Sequence, residues 1–184
     1  RLNGATLKNA GFDILNLANN HAMDQGREGL INTIEVLESS GILSFGAGVN
    51  RSEARKPVFI DRGRIRIGFL GYCDFPPEGY IYDEGKADVA RADMKFLGEE
   101  VRAAGEQCDF LVVSFHWGKE FDCYPGDRQR EMAHAAIESG AGLIIGHHPH
   151  VLQRVEEYKG RLIFYSLGNF VFDSQLPKGT DESV

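Results

Sequence analysis

The chain has 184 residues, of which 42% are hydrophobic and 26% charged, a composition typical of a globular domain that buries a core. Its formal net charge of −7, without any run of lysine and arginine, argues against a nucleic-acid partner, so an anionic substrate would need metal ions or a local basic face. The apolar runs have the length of strands and are too short to span a membrane, and the three cysteines suggest no disulfide framework.

The first half of the chain alternates short apolar runs with one clear helical period. The predicted elements, in order, are a helix that ends at Gly11, a strand over 11–17, a polar loop over 18–25, a helix over 26–41, a strand over 42–45, and a hairpin of 57–60 with 65–72. Residues 75–88 show no periodicity, which predicts a long surface loop.

In the second half, each of two helices precedes an apolar strand, and a hairpin follows. The predicted elements are helices over 92–104 and 127–139, strands over 110–115 and 142–145, and a hairpin of 151–158 with 161–167 that turns at Lys159 and Gly160. Parallel and antiparallel strands with helices beside them predict α/β layers around one or two packed sheets. We expect one domain over 1–173 and a polar tail or linker over 174–184.

Five of the six histidines lie at or just after the ends of predicted strands, where α/β folds place ligands and catalysts. These five are His21, His116, His147, His148 and His150. The sixth, His134, lies among alanines inside a predicted helix and is expected to be structural.

His148 and His150 are separated by Pro149, which favours an extended backbone at His148, and alternate side chains of an extended segment face the same side. Both imidazoles then address one point, as the ligands of Zn, Mn or Fe would. The alternative is a pair of loop histidines that bond to the backbone. His147 would face away from the pair, behind the ligands or towards a substrate.

His116 considered alone would simply end a strand, but three strand ends that each carry a histidine favour one shared site. The amide oxygen of Asn20 is a suitable ligand for harder divalent ions. His21, the next residue, is placed to donate a proton to a leaving group.

Three further candidates each have a structural alternative. Trp117 would wall the pocket or pack at its rim. Asp24 would orient His21 or cap the helix that begins near residue 26. Asn169, between Gly168 and Phe170, would lie where the backbone approaches a ligand or in a turn that ends a strand.

Four motifs, in this order along the chain, resemble the bacterial capsule-synthesis family of the CapA type, which is associated with poly-γ-glutamate biosynthesis. The motifs are ANNHAMDQG at 18–26, FHWG at 115–118, GHHPHV at 146–151 and SLGNF at 166–170. That family is similar in fold to calcineurin-like metallophosphoesterases. The resemblance therefore implies an α/β fold, a four-layer α/β/β/α sandwich of mixed sheets, with a dinuclear metal site at the strand ends.

The resemblance also implies a role for each residue. Asn20 matches a ligand asparagine, and His21 matches its proton-donating partner. His116 matches a lone histidine ligand, and His148 with His150 matches a histidine pair. Two divalent ions, of Mn, Fe, Zn or Mg, would polarise the phosphoryl oxygens and activate water for in-line attack.

Two family motifs that supply carboxylate ligands, Gly-Asp and Asn-Leu-Glu, do not precede Ala18 in this chain. We therefore expect a partial domain that lacks its first strands, exposes sheet edges and holds one metal ion or none. The sequence begins at Arg1 instead of methionine, and the resemblance implies an upstream anchor and a place on the extracytoplasmic side of the bacterial cell envelope.

The leading interpretation is a metal-dependent hydrolase of the phosphoesterase type, linked to capsule or poly-γ-glutamate biosynthesis and acting on an anionic polymer or a phosphoester. Two alternatives stay open. One is a non-catalytic component that handles polymer or assembles with the subunits of a membrane capsule synthase. The other is hydrolysis of the γ-glutamyl amide bond, because a metal centre can activate water against a carbonyl as well as a phosphorus.

Overall fold

The structure is a computed structural model that describes residues 4–76, 83–171, 179, 180 and 183. Within these residues the helices are α1 (Gly4–Asn9), α2 (Gly26–Ser39), α3 (Arg51–Ala54), α4 (Met94–Gly105) and α5 (Asp127–Glu138). The strands are β1 (Ile14–Asn16), β2 (Leu43–Phe45), β3 (Ala47–Gly48), β4 (Val58–Arg62), β5 (Ile65–Cys73), β6 (Asp88–Val89), β7 (Phe110–His116), β8 (Leu143–His147), β9 (Val155–Tyr158) and β10 (Arg161–Phe164).

A six-stranded mixed sheet in the order β4-β5-β7-β8-β10-β9 forms the centre of the fold. The four inner strands are parallel, and each edge strand pairs antiparallel with its neighbour. Both edge pairs are the predicted hairpins, which are confirmed. The β9–β10 turn has positive φ at Lys159 (50°) and Gly160 (74°), the conformation that a two-residue hairpin turn requires.

The large sheet is covered by different layers on its two faces. Leu70 and Tyr72 of β5 join the main core beneath α4 and α5. Phe69, the residue before Leu70, points to the other face and packs its ring 5.7 Å from that of Phe45 in β2. There β1 and β2 form a parallel pair, and α2 packs against β2. The order helix, sheet, sheet, helix is the predicted four-layer sandwich, which is confirmed.

Three short elements, β3, α3 and β6, were not predicted from the sequence. β3 and β6 form a two-stranded antiparallel sheet, so the predicted loop 75–88 already pairs at Asp88. α3 begins after Asn50, whose side-chain oxygen accepts a hydrogen bond from the N–H of Glu53 at 3.0 Å. Elements of two to four residues are too short to produce a detectable hydrophobic period.

Parts of two predicted segments lie outside the described residues. These are 77–82 of the predicted loop, and 174–178, 181, 182 and 184 of the predicted tail. In the part of the chain that the structure covers, no helix combines the length and apolar character needed to cross a membrane.

Candidate metal centre

The candidate site lies where the neighbouring parallel strands β7 and β8 end. His116 and His147, the last residues of these strands, are paired in register. The chain then turns, so that the ring of His148 lies 4.8 Å from that of His116 and 6.1 Å from that of His150, measured between centroids. The structure therefore brings together the three histidines that the sequence analysis proposed as ligands.

The backbone of this turn differs from the prediction. His148 has φ of 99° and His150 has φ of 62°, so the extended conformation expected at His148 is wrong. Both residues adopt left-handed backbone that costs a side-chain-bearing residue about 1 kcal/mol or more. The two rings approach each other through a tight turn rather than through the alternation of a strand.

Asn20 reaches the centre from the segment that follows β1. Its side-chain oxygen Oδ1 lies 2.7 Å from Nε2 of His116, although 96 residues separate the two in sequence. Only 6% of Asn20 is exposed. A buried amide is normally retained only with its polar atoms satisfied, and here its partner is a histidine of the same cluster.

Asn16, which the sequence analysis did not single out, fixes the path that leads to Asn20. Its amide nitrogen donates to Oγ of Ser114 in β7 at 2.9 Å, and its Oδ1 accepts from the N–H of Ala18 at 2.9 Å. Asn16 thus ties the small sheet to the large one four residues before Asn20. No sequence motif distinguishes this asparagine from others on strand ends.

We expect Asn16→Ala to lower the free energy of unfolding by about 1–3 kcal/mol, because its two buried partners, Ser114 and Ala18, each lose a hydrogen bond. Urea denaturation measures the change. Asn32→Ala, on the exposed face of α2, is the matched control and should change stability by less than about 0.5 kcal/mol. Equal stability of the two variants would show that Asn16 does not couple the sheets.

His21 and Asp24 form a pair at the exposed edge of the centre. Nδ1 of His21 lies 3.1 Å from Oδ2 of Asp24. The first turn of α2 receives no side-chain cap, and Gln25 occupies the capping position. Of the two roles considered for Asp24, the geometry fits orientation of His21 and contradicts capping of the helix.

Glu120 is a carboxylate that the sequence analysis missed. One of its oxygens and one ring nitrogen each of His148 and His150 all lie within 4.8 Å of one another. The N–H of Phe121 donates to the carbonyl of Pro149 at 2.8 Å, which holds the two loops together. Glu120 lies in an exposed loop, two residues after Gly118. Its distance in sequence from the histidines matches no ligand motif, so the sequence did not predict it.

The remaining candidates surround the histidines. Asn169 Oδ1 lies 2.8 Å from Nδ1 of His150, and the Asn169 amide donates to the carbonyl of Thr180 at 2.9 Å. Trp117 is fully buried, and its indole N–H donates to the carbonyl of Tyr165 at 2.8 Å. Trp117 therefore offers no surface to a substrate, and the packing alternative is the one that fits. Phe75, unpredicted, places its ring 4.5 Å from that of His148.

Burial keeps the imidazoles neutral. It lowers the pKa of His116 from 6.5 to about 3, with smaller contributions from the neighbouring histidines, of which His148 is the largest. Burial also lowers the pKa of His147 and of His148. A neutral imidazole keeps the lone pair that a metal ion needs, so burial leaves His116 and His148 in the form that can bind a metal near neutral pH.

The lowered pKa of His116 makes stability depend on pH. As pH falls below 6.5, His116 of the unfolded chain binds a proton, whereas folded His116 remains neutral until about pH 3. The folded state therefore loses stability as pH falls from 6.5 towards 3, and this loss is absent above pH 6.5. We expect a loss of about 1–2 kcal/mol between about pH 7 and 5, measured by urea unfolding in EDTA. His116→Gln should reduce this slope and leave the part that His147 and His148 contribute, and an undiminished slope in the variant would contradict the assignment.

A family model described as bacterial capsule synthesis protein PGA_cap matches residues 2–174. The chain belongs to this family. The resemblance drawn from the four motifs is thereby confirmed. Two relatives of the PGA_cap chain are the PGA biosynthesis protein CapA of Bacillus subtilis (strain 168), 39% identical over 97% of this chain, and the capsule biosynthesis protein CapA of Bacillus anthracis, 37% identical over 97%. The chain spans 47% and 44% of the lengths of these relatives.

Solved structures share the fold of this PGA_cap chain at low sequence identity. A putative 5'-nucleotidase from Staphylococcus aureus superposes with a TM-score of 0.64 at 16% identity, covering 90% of this chain and 34% of that one. The NAD nucleotidase of Haemophilus influenzae gives 0.56 at 14% identity, with 90% and 35% covered. These likenesses show a metallophosphoesterase-like fold.

Proposed function

We propose that this domain is a metal-dependent hydrolase of the phosphoesterase type that serves capsule or poly-γ-glutamate biosynthesis. The observation that carries the proposal is the convergence of three histidines, a buried asparagine and a glutamate at the ends of β7 and β8. These residues are His116, His148, His150, Asn20 and Glu120. The ends of parallel strands are the usual position of a catalytic site in such a sheet.

The donor set fits a divalent cation. Neutral imidazole nitrogens suit Mn, Fe and Zn, whereas the amide oxygen of Asn20 and the carboxylate of Glu120 also suit Mg. Asn169 would orient the His150 ring, as a partner of the ligand's second nitrogen does in many metal sites. Asn20, His116, His148 and His150 would hold the metal, with Glu120 supplying a carboxylate. Bound there, a divalent ion supplies Lewis-acid chemistry for an ester oxygen and for the attacking water.

His21 is the proposed proton donor to the leaving group. Asp24 engages its Nδ1, so Nε2 is the nitrogen left for proton transfer. The carboxylate also fixes the orientation of the ring. The side chain of His21 is 55% exposed, so a substrate can reach it without displacement of packed residues.

We further propose an acidic polymer or a phosphoester as the substrate, capsule synthase subunits as partners and the cell envelope as the place of action. Family membership supports these proposals, as do the names of the relatives that carry capsule or PGA biosynthesis in their description.

The test is hydrolysis by the full-length protein of bis(p-nitrophenyl) phosphate and, separately, of poly-γ-glutamate, after EDTA treatment and after addition of Mn, Zn, Fe or Mg. We expect phosphoester cleavage that EDTA abolishes and a divalent ion restores. Cleavage of the polymer alone would replace the proposal with amide hydrolysis at the same centre. A protein that binds metal but cleaves neither substrate would be non-catalytic.

A further inference from the structure

A second cleft lies beside the candidate metal centre and is lined by four arginines, Arg51, Arg55, Arg91 and Arg128. We call it the arginine cleft. Its volume is about 480 Å³, large enough for several non-hydrogen atoms of a ligand. Asp93 is the acidic residue of its lining, and its carboxylate caps α4 through the N–H of Lys95. So many guanidinium groups in one cleft are unexpected in a chain of net charge −7.

Two of the arginines are held in place from behind. The guanidinium of Arg55 forms paired hydrogen bonds with Glu100, including Nη2 to Oε2 at 2.8 Å, and its Nη1 donates to the carbonyl of Arg91 at 2.7 Å. Arg128 donates through Nε and Nη2 to Asp74, whose side chain is only 8% exposed. Fixed guanidinium groups lose less entropy when they bind an anion than free side chains do.

Arg128 and Arg51 keep part of their side-chain surface exposed. The side chain of Arg128 is 56% exposed, and its bonds to Asp74 employ only two of its three nitrogens. The Arg51 side chain is 31% exposed and pairs with Glu84, a residue that is itself largely solvated. Arginine N–H groups that face a concave surface bind carboxylate and phosphate oxygens through two parallel hydrogen bonds.

The cleft and the histidine centre share one edge of the large sheet. A backbone β-bridge joins Arg91 to Cys73, and Cys73 is the register partner of His116 in the β5–β7 pair. The N–H of Asp74, the partner of Arg128, donates to the carbonyl of His116 at 2.9 Å. These backbone contacts place the cleft next to the end of β7, where His116 lies.

We propose that the arginine cleft is an anion subsite that binds a carboxylate or phosphate group of the substrate whose reacting bond lies at the histidines. That the cleft binds an anion follows from its own arginines, whereas its role as a substrate subsite rests on the proposed function. The cleft supplies the local basic face that an acidic protein needs to hold an anionic substrate.

The first test measures anion binding without metal. Full-length protein in EDTA is titrated with inorganic phosphate and, separately, with glutarate, and binding is followed by calorimetry and by the NMR signals of arginine N–H groups. We expect Arg51→Gln and Arg128→Gln each to weaken binding by about tenfold. Arg66→Gln is the matched control, because Arg66 also binds a carboxylate, Asp61, through two nitrogens but lies on β5 far along the strand from Cys73. It should change affinity by less than about twofold.

Preference for phosphate would identify a phosphoester group as the ligand, and preference for glutarate would identify a polymer carboxylate; either supports the anion site. No binding of either anion to the native protein would overturn it, as would unchanged affinity in both variants. Arg128→Gln also leaves the Asp74 carboxylate without its partner, so Arg51→Gln, whose partner Glu84 is 71% exposed, is the decisive variant.

The second test concerns the subsite. In the hydrolysis assay Arg51→Gln should raise KM by about tenfold and leave kcat within about twofold, since the cleft binds a group remote from the reacting bond. Unchanged KM would overturn the subsite. Because the titrations use metal-free protein, failure of hydrolysis with retained anion binding rejects the proposed function and leaves the anion site standing.

Discussion

His150→Ala is expected to remove bound metal and to lower kcat/KM by more than about 100-fold, because the substitution deletes one of the proposed ligands. His150 contributes to the one group of His and Glu donors within metal-binding distance among the described residues, and its ring is oriented by Asn169. Metal content by mass spectrometry and steady-state hydrolysis after reconstitution with Mn or Zn measure the two effects.

The matched control is His134→Gln, which also removes one histidine. His134 lies on α5, stacks on Tyr158 at 3.8 Å and contacts Glu156, and no candidate ligand touches it. We expect this variant to keep its metal and its activity within about threefold while losing some stability. If His150→Ala kept its full metal content, or if both variants lost activity equally, the centre would not be a metal site built on His150.

The positions of the histidines could be predicted from the sequence because they depend on topology. Parallel strands end at the same edge of a sheet, so residues that follow β7 and β8 must lie close together whatever the details of their loops. The structure places His116 against His148 as this topology requires. Topology does not fix backbone conformation, and the extended backbone that Pro149 favours at His148 is absent because the turn enforces a positive φ there.

Glu120 and Asn16 show the limit of motif reasoning. Glu120 reaches the histidines only because the Phe121 N–H binds the Pro149 carbonyl and folds one loop onto another. Asn16 matters because its amide spans two sheets. Both effects depend on long-range contacts that leave no period or spacing in the sequence. Glu120 places one carboxylate beside the histidine pair, whereas the Gly-Asp and Asn-Leu-Glu motifs of the family do not precede Ala18.

The fold followed from periodicity wherever an element was long enough to show one. The helices α2, α4 and α5 and the two hairpins of the large sheet were predicted to within a few residues. The pairing of β1 with β2 was not, because a three-residue strand carries no information about its partner. That pair nevertheless delivers Asn20 to the centre, so the least predictable part of the fold positions one of the proposed ligands.

The largest effect on stability is expected from Gly146→Ala in β8. A Cβ at this position would clash with the carbonyl oxygen of Tyr165 and would lie 2.5 Å from Nε1 of Trp117. These are the two atoms of a buried hydrogen bond, so the methyl group must break that bond as well as displace backbone. We expect a loss of about 3 kcal/mol or more and a fall in Tm of about 10 °C, measured by thermal and urea unfolding.

Gly105→Ala is the control that separates this clash from a general glycine effect. Gly105 ends α4, where an added Cβ would make only an ordinary contact at 3.8 Å, and alanine there should leave stability unchanged or raise it by up to about 1 kcal/mol. Gly146 precedes His147, and Trp117 follows His116. Displacement of Gly146 and Trp117 should therefore also shift the histidines and weaken metal binding. A Gly146→Ala protein as stable as the Gly105→Ala protein would mean that β8 and Trp117 are not packed as closely as the structure shows.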